Sequence, residues 1–124
     1  MPAKVIDFAD ASFPERAIEV FKNEILVPFQ EKLVILFPYA LWCGPCRQML
    51  DNVLPLVVEE ANENVILCRM QIDAGVIGND AIVSLIYKVR AIPSLLFFKR
   101  QEIINWITGG VSVNTIMKDI NKYQ

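Results

Sequence analysis

Leu33-Val34-Ile35-Leu36-Phe37 is an unbroken apolar run, and a short step after it stands Cys43-Gly44-Pro45-Cys46. A run of this kind, bounded by Lys32 and Pro38, fits a central strand buried on both faces. Beyond the cysteines, Cys46, Met49, Leu50, Val53, Leu54, Val57, Val58 and Ala61 recur at the three- and four-residue spacing of an amphipathic helix. A buried strand therefore runs straight into a helix, with two cysteines at the junction. Pro55 falls inside that helix and predicts a kink, because its ring removes an N–H and crowds the preceding turn.

The junction is chemically suited to thiol work. The first cysteine lies near a helix amino terminus, where unpaired N–H groups and the positive end of the macrodipole stabilise a thiolate. The thiolate is the nucleophilic form, so a lowered pKa enlarges the reactive fraction near neutral pH. Cys46 follows on the same helical side, close enough to close a disulfide with little backbone motion. Pro45 costs nothing at a position whose N–H has no intrahelical partner.

Strand-like and helix-like periods alternate along the rest of the chain, which argues for α/β packing around one sheet. Val5–Phe8 reads as a first strand. Pro14 opens a helix with Ser12 as its expected cap, and Ile18, Phe21, Ile25 and Leu26 give it an apolar face. Val65–Ile72 is the next strand, followed by a looser stretch from Ala74 to Gly78. A helix then passes through Ile82, Leu85, Ile86 and Val89. Leu95–Phe98 and Ile103–Ile107 form two strands joined at Lys99-Arg100-Gln101. Gly109-Gly110 breaks the chain before a last helix, capped near Ser112, that turns Val113, Ile116, Met117 and Ile120 inward. The order is βαβαβαββα, and residues 1–124 suit a single domain.

Composition narrows the function. Apolar residues make up 54% of the chain, enough for a core without staples, and their periodic placement assigns them to that core rather than to an exposed docking surface. The net charge is −2 with no Lys/Arg run, so neither nucleic acid nor an anionic membrane is an expected partner. No apolar run is long enough to span a bilayer, and the amino terminus lacks the apolar stretch of a secretory signal, which makes a cytoplasmic address the expectation. There are three cysteines and no histidine. The lack of histidine excludes Ser-His-Asp and Cys-His catalysis and Cys/His zinc sites. In a reducing cytosol a close cysteine pair points to metal or redox chemistry rather than to a stable staple. A zinc site needs further ligands, and Cys68, placed mid-strand, reads as a small buried hydrophobe rather than a regulatory thiol. No metal and no cofactor are expected.

Trp42-Cys43-Gly44-Pro45-Cys46 resembles the active site of the thioredoxin family. Ala91-Ile92-Pro93-Ser94-Leu95 resembles that family's cis-proline segment, and Gly109 resembles its glycine at the rim of the active site. The likeness extends over nearly the whole chain. It implies a thioredoxin fold, with a central mixed sheet of about five strands and helices on both faces. It implies a protein-disulfide reductase in which Cys43 attacks a substrate disulfide and Cys46 resolves the mixed disulfide, leaving a redox-active Cys43–Cys46 bond. Gly44, Pro45, Trp42 and Pro93 would support the site. Trp42, Ala91, Ile92, Pro93, Thr108 and Gly109 would form a shallow substrate-binding rim. Disulfide-containing proteins would be the substrates, with a thioredoxin-reductase-type donor (a flavoprotein, or another dithiol) and a monomeric state.

The chain departs from the family pattern in several places. The family commonly carries a buried aspartate beneath the second cysteine, and the matching position here is Phe37; slower resolution or an altered potential is the expectation. Arg69 stands where a lysine often accompanies that acid and is expected to be solvated or to snorkel. Tyr39 replaces a common tryptophan, and the family's kinking proline usually lies nearer the second cysteine than Pro55 does. The stretch from Asp73 to Ile82 is a few residues long for a minimal member, and Asp73, Glu59 and Glu60 read as solvated or capping charges. Trp106 reads as sheet packing. Two rival functions remain: a binding module or adaptor that keeps the fold, marked by Phe37 and the high apolar content, and an oxidase or isomerase, against which Gly-Pro between the cysteines speaks.

Overall fold

The computed structural model describes residues 1–124. Its five strands are β1 (Lys4–Asp7), β2 (Leu33–Tyr39), β3 (Val65–Gln71), β4 (Ser94–Lys99) and β5 (Glu102–Thr108). They form one sheet in the order β1-β3-β2-β4-β5, with β1, β3 and β2 parallel and β4 and β5 antiparallel. The mixed sheet and the βαβαβαββα order agree with the sequence reading.

Alternation along the central strands divides the core in two. Leu33, Ile35 and Phe37 of β2, Leu67 of β3, and Leu95 and Phe97 of β4 face one cluster, which also holds Cys43, Cys46 and Met49. Val34, Leu36, Ile66, Cys68, Leu96 and Phe98 face the other, around Phe21 and Ile82. Helices α2 (Gly44–Gln48), α3 (Leu54–Glu60) and α5 (Val113–Tyr123) cover the first face, and α1 (Pro14–Phe21) and α4 (Ile77–Ala81) the second. Burial on both faces explains why β2 is continuously apolar.

The helix ends refine several expectations. Ser12 is not the cap of α1; Phe13 holds that position without a side-chain bond, while the Ser12 N–H donates to Asp10 Oδ1 at 2.7 Å. A short Asp10 turn thus claims the serine that the sequence offered as a cap. Ser112 does cap α5, its Oγ accepting the Thr115 N–H at 3.2 Å. The break at Pro55 takes the form of a π-helical turn over Met49–Val53, in which the Leu54 N–H reaches back to the Met49 carbonyl. This widening relieves the crowding that a proline imposes on the preceding turn. The helix after β3 stops after a π-helical turn at Ile82–Ile86, earlier than the periodicity implied, because Lys88 takes φ +56. The β4–β5 hairpin turns on Arg100 and Gln101, both at positive φ.

Candidate active site

Strand β2 ends at Tyr39, and the chain passes through Leu41 and Trp42 before α2 starts at Gly44. Cys43 is the helix cap: its Sγ accepts the Cys46 N–H at 3.2 Å. The two cysteines are joined as a disulfide, with Cα atoms 5.2 Å apart. Gly44 and Pro45 form the first turn between them. Cys43 retains 6% of its surface and Cys46 none, so the pair is asymmetric: the first cysteine keeps a small accessible remnant and the second keeps none.

At the same end of the sheet, just before β4, the Ile92–Pro93 peptide is cis. Two hydrogen bonds hold this segment. Ser94 Oγ donates to the Ala91 carbonyl at 2.6 Å, and the Gly109 N–H donates to the Pro93 carbonyl at 2.8 Å. Gly109 takes φ +93, a conformation that glycine adopts without strain. Thr108 pairs with Ser94 in the β4–β5 ladder. Trp42 is 74% exposed and lines a cleft of about 190 Å³ together with Ala91 and Ile92. The fold therefore brings together at one end of the sheet the cysteines, Trp42, Ala91, Ile92, Pro93, Thr108 and Gly109. A larger cleft, about 310 Å³, runs between Val5, Leu50, Pro55, Val58 and Arg69 and touches neither sulfur.

Phe37 is fully buried in the cluster that holds both sulfurs and stacks on Tyr39, with ring centroids 5.9 Å apart. Asn79 and Ser94 are the only buried polar residues in the molecule, so no buried carboxylate serves the pair. Arg69 reaches the surface with its stem beside the apolar residues of the larger cleft, as the sequence reading expects. The structure adds its partner: Nε and Nη2 donate to the two carboxylate oxygens of Asp7 at 2.6 and 2.8 Å. That hydrogen bonding lowers the Asp7 pKa and raises that of Arg69. Cys68 projects to the opposite face of the sheet, and burial pushes its thiol pKa up to about 12.

Periodicity did not reveal two further residues. Asp73 accepts the Leu41 N–H at 2.8 Å through Oδ2 and the Gln71 Nε2 at 3.0 Å through Oδ1, tying the loop ahead of Trp42 to the end of β3. Asn79 donates to the Phe8 and Gln71 carbonyls at 2.8 and 2.9 Å and accepts the Asp10 N–H at 3.0 Å.

The thioredoxin family model matches residues 13–122. The thioredoxin of Porphyra purpurea is 31% identical over 121 residues, covering 96% of each chain, and that of Pyropia yezoensis matches to the same extent. Among solved structures, thioredoxin F from spinach chloroplast superposes with a TM-score of 0.71 at 20% identity, over 98% of this chain and 94% of that one. Fasciola hepatica thioredoxin gives 0.69 at 23% identity, over 96% and 99%. The structural likeness speaks for the fold; the family match and the relatives above 30% identity speak for kinship. This chain belongs to the thioredoxin family and is a thiol–disulfide oxidoreductase of the protein-disulfide reductase type.

Proposed function

We propose that Cys43 is the attacking and Cys46 the resolving cysteine of a reductase that acts on disulfides in protein substrates. The Cys43 thiolate attacks one substrate sulfur, forms a mixed disulfide and expels the other substrate sulfur as a thiolate. Cys46, deprotonated, then attacks Cys43 Sγ, releases the second substrate thiolate and leaves the Cys43–Cys46 disulfide. Two electrons pass to the substrate, and its thiolates take protons from water. A thioredoxin-reductase-type donor or another dithiol returns the two electrons.

The asymmetry of the pair carries this reading. Cys43 keeps a small accessible remnant and a sulfur that accepts the Cys46 N–H, whereas Cys46 is wholly enclosed. Polarisation by that N–H favours the Cys43 thiolate. The Ile92 backbone beside the cis bond to Pro93 supports a second role, pairing with an extended substrate, while Trp42, Ala91, Thr108 and Gly109 border its path. No helix is long and apolar enough to cross a membrane; action as a monomer in the cytoplasm is part of this proposal.

Trapping tests the assignment. With a disulfide-linked peptide as substrate, Cys46→Ser is expected to accumulate a mixed disulfide on Cys43, and Cys43→Ser is expected to leave the peptide intact. Accumulation on Cys46 in Cys43→Ser, with Cys46→Ser inert, would reverse the roles. An adaptor predicts that the double variant keeps the biological function of the chain.

A further inference from the structure

The cleft of about 310 Å³ between β1, β3 and α3 has two unlike ends. Its floor is a pair of ladder partners, Val5 and Leu67, and its opposing wall is Leu50, Leu54, Pro55 and Val58. Two residues farther along the strands, about 6.6 Å away, the next ladder pair on this face is Asp7 and Arg69, and Arg69 lines the cleft. The other end is closed where the Ala3 N–H donates to the Val58 carbonyl at 3.0 Å, which ties the start of β1 to α3. Leu54 and Leu67 are buried, while Val5 is left 41% exposed. The cleft thus runs from a closed apolar end to a guanidinium.

Arg69 is the only charged residue in that lining. A guanidinium donates along two edges. Asp7 takes the edge made by Nε and Nη2, and the edge made by Nη1 and the second Nη2 hydrogen is left for another acceptor. Carboxylates match such an edge in a planar, bidentate way. The pair with Asp7 also fixes the arginine, so a ligand spends little on ordering it. Because Asp7 already shares the positive charge, hydrogen bonds and an apolar tail hold the ligand rather than long-range attraction. Water is a poor occupant of the rest of the cleft, whose floor and wall offer it no polar side chain. Strand addition by another protein is discouraged too, because β1 is short and carries Lys4 and Asp7 at the edge of the sheet.

We infer that this cleft binds a small amphipathic carboxylate, its carboxylate on the free edge of Arg69 and its alkyl tail laid along Val5 and Leu67 toward Val58. A volume at the lower end of the ~300–1,000 Å³ of small-molecule sites suits a short chain rather than a long fatty acid. The site touches neither sulfur and does not depend on the reductase reading.

Amide chemical shifts of the full chain, followed during titration, test the site with three probes: octanoate, octanol and acetate. Octanoate is expected to saturate with a Kd of about 1 mM or tighter, shifting Val5, Val58 and Arg69. Octanol lacks the anion and is expected to bind the same residues at least about tenfold more weakly. Acetate lacks the tail and is expected to shift none of them. Arg69→Met keeps an apolar stem; it is expected to bring octanoate down to the affinity of octanol and to leave octanol unchanged. Val58→Glu, at the opposite end, is expected to abolish binding of both, and the spectrum of each free variant shows that it is folded. Equal binding of octanoate and octanol, equal binding of octanoate by Arg69→Met and wild type, or no saturation by octanoate up to about 10 mM would overturn the site. Tighter binding of a leucine-ended peptide than of octanoate would assign the carboxylate to a polypeptide terminus and overturn the small acid.

Discussion

Arg69 donates two hydrogen bonds to Asp7, from Nε at 2.6 Å and from Nη2 at 2.8 Å. In the ladder Arg69 stands directly between Asp7 on β1 and Phe37 on β2. The one basic residue in this row therefore turns outward to a surface carboxylate, and the side chain beneath the cysteines is a phenyl ring. Cys46 must lose its proton in a pocket that contains no base.

Placing a base there speeds resolution. Phe37→Asp is expected to raise the rate at which a Cys43 mixed disulfide resolves at pH 7 by at least about tenfold, measured by rapid quench and thiol tagging. An unchanged rate would contradict this account of Phe37. The same substitution removes a fully buried ring and buries a carboxyl, so chemical denaturation should show a loss of about 3 kcal/mol or more.

The Asp7–Arg69 pair predicts a weak acid dependence. The folded-state pKa of Asp7 is lowered, mainly by its hydrogen bond from Arg69. Its contribution is complete above the unfolded carboxylate pKa, about 3.9, and disappears as pH falls through the lowered folded value. Both partners are partly solvated, so the effect amounts to about 1 kcal/mol or less. Asp7→Asn should lower stability at pH 6 by that amount and by progressively less as pH falls below about 3.9, which denaturation across that range would reveal.

Cys68 gives the opposite sign. Its folded pKa is raised to about 12 by burial, so the stabilisation is present below the unfolded thiol pKa, about 8.5, and is lost as pH rises from there toward the folded value. Stability should fall by up to about 1.4 kcal/mol per pH unit over this window, and Cys68→Ala should flatten the slope from this thiol. Tyr87, also raised to about 12 by burial, adds a second slope above pH 10. In the folded protein Cys68 should resist alkylation at pH 8 while reduced Cys43 reacts.

Asn79→Ala removes partners from the Phe8 and Gln71 carbonyls and from the Asp10 N–H. A loss of about 2–4 kcal/mol is expected in urea denaturation, with hydrogen-exchange protection lost first around Asp10 and the β3–α4 loop. Gly78→Ala, which drives a methyl group onto the Asp10 carbonyl, should weaken the same contact. Retained protection in both variants would contradict the anchoring role of this pair.

Features encoded by local periodicity were legible from the sequence. The run Leu33–Phe37 announced a doubly buried strand, the spacing after Cys46 announced a helix, and their junction placed the cysteines at a helix start. Pro93 and Gly109 were readable through family resemblance, because their positions depend on contacts distant in sequence. Ser12 misled, since Asp10 competes for the same turn and its carboxylate takes the serine N–H. The partner of Arg69 was hidden because Asp7 lies 62 residues away and meets it only through the parallel register of β1 and β3. Asn79 left no trace in the pattern: a buried asparagine in a short helix looks like any loop polar residue until the three backbone segments around it are in place.

The decisive measurement is the equilibrium between Cys43/Cys46 and a thiol–disulfide buffer, read by mass-tagging free thiols with Cys68 as the internal control. A single reversible two-electron transition in the reducing range is the predicted result. A pair that stays fully reduced or fully oxidised across the whole buffer range would contradict it and leave the adaptor as the reading of this fold.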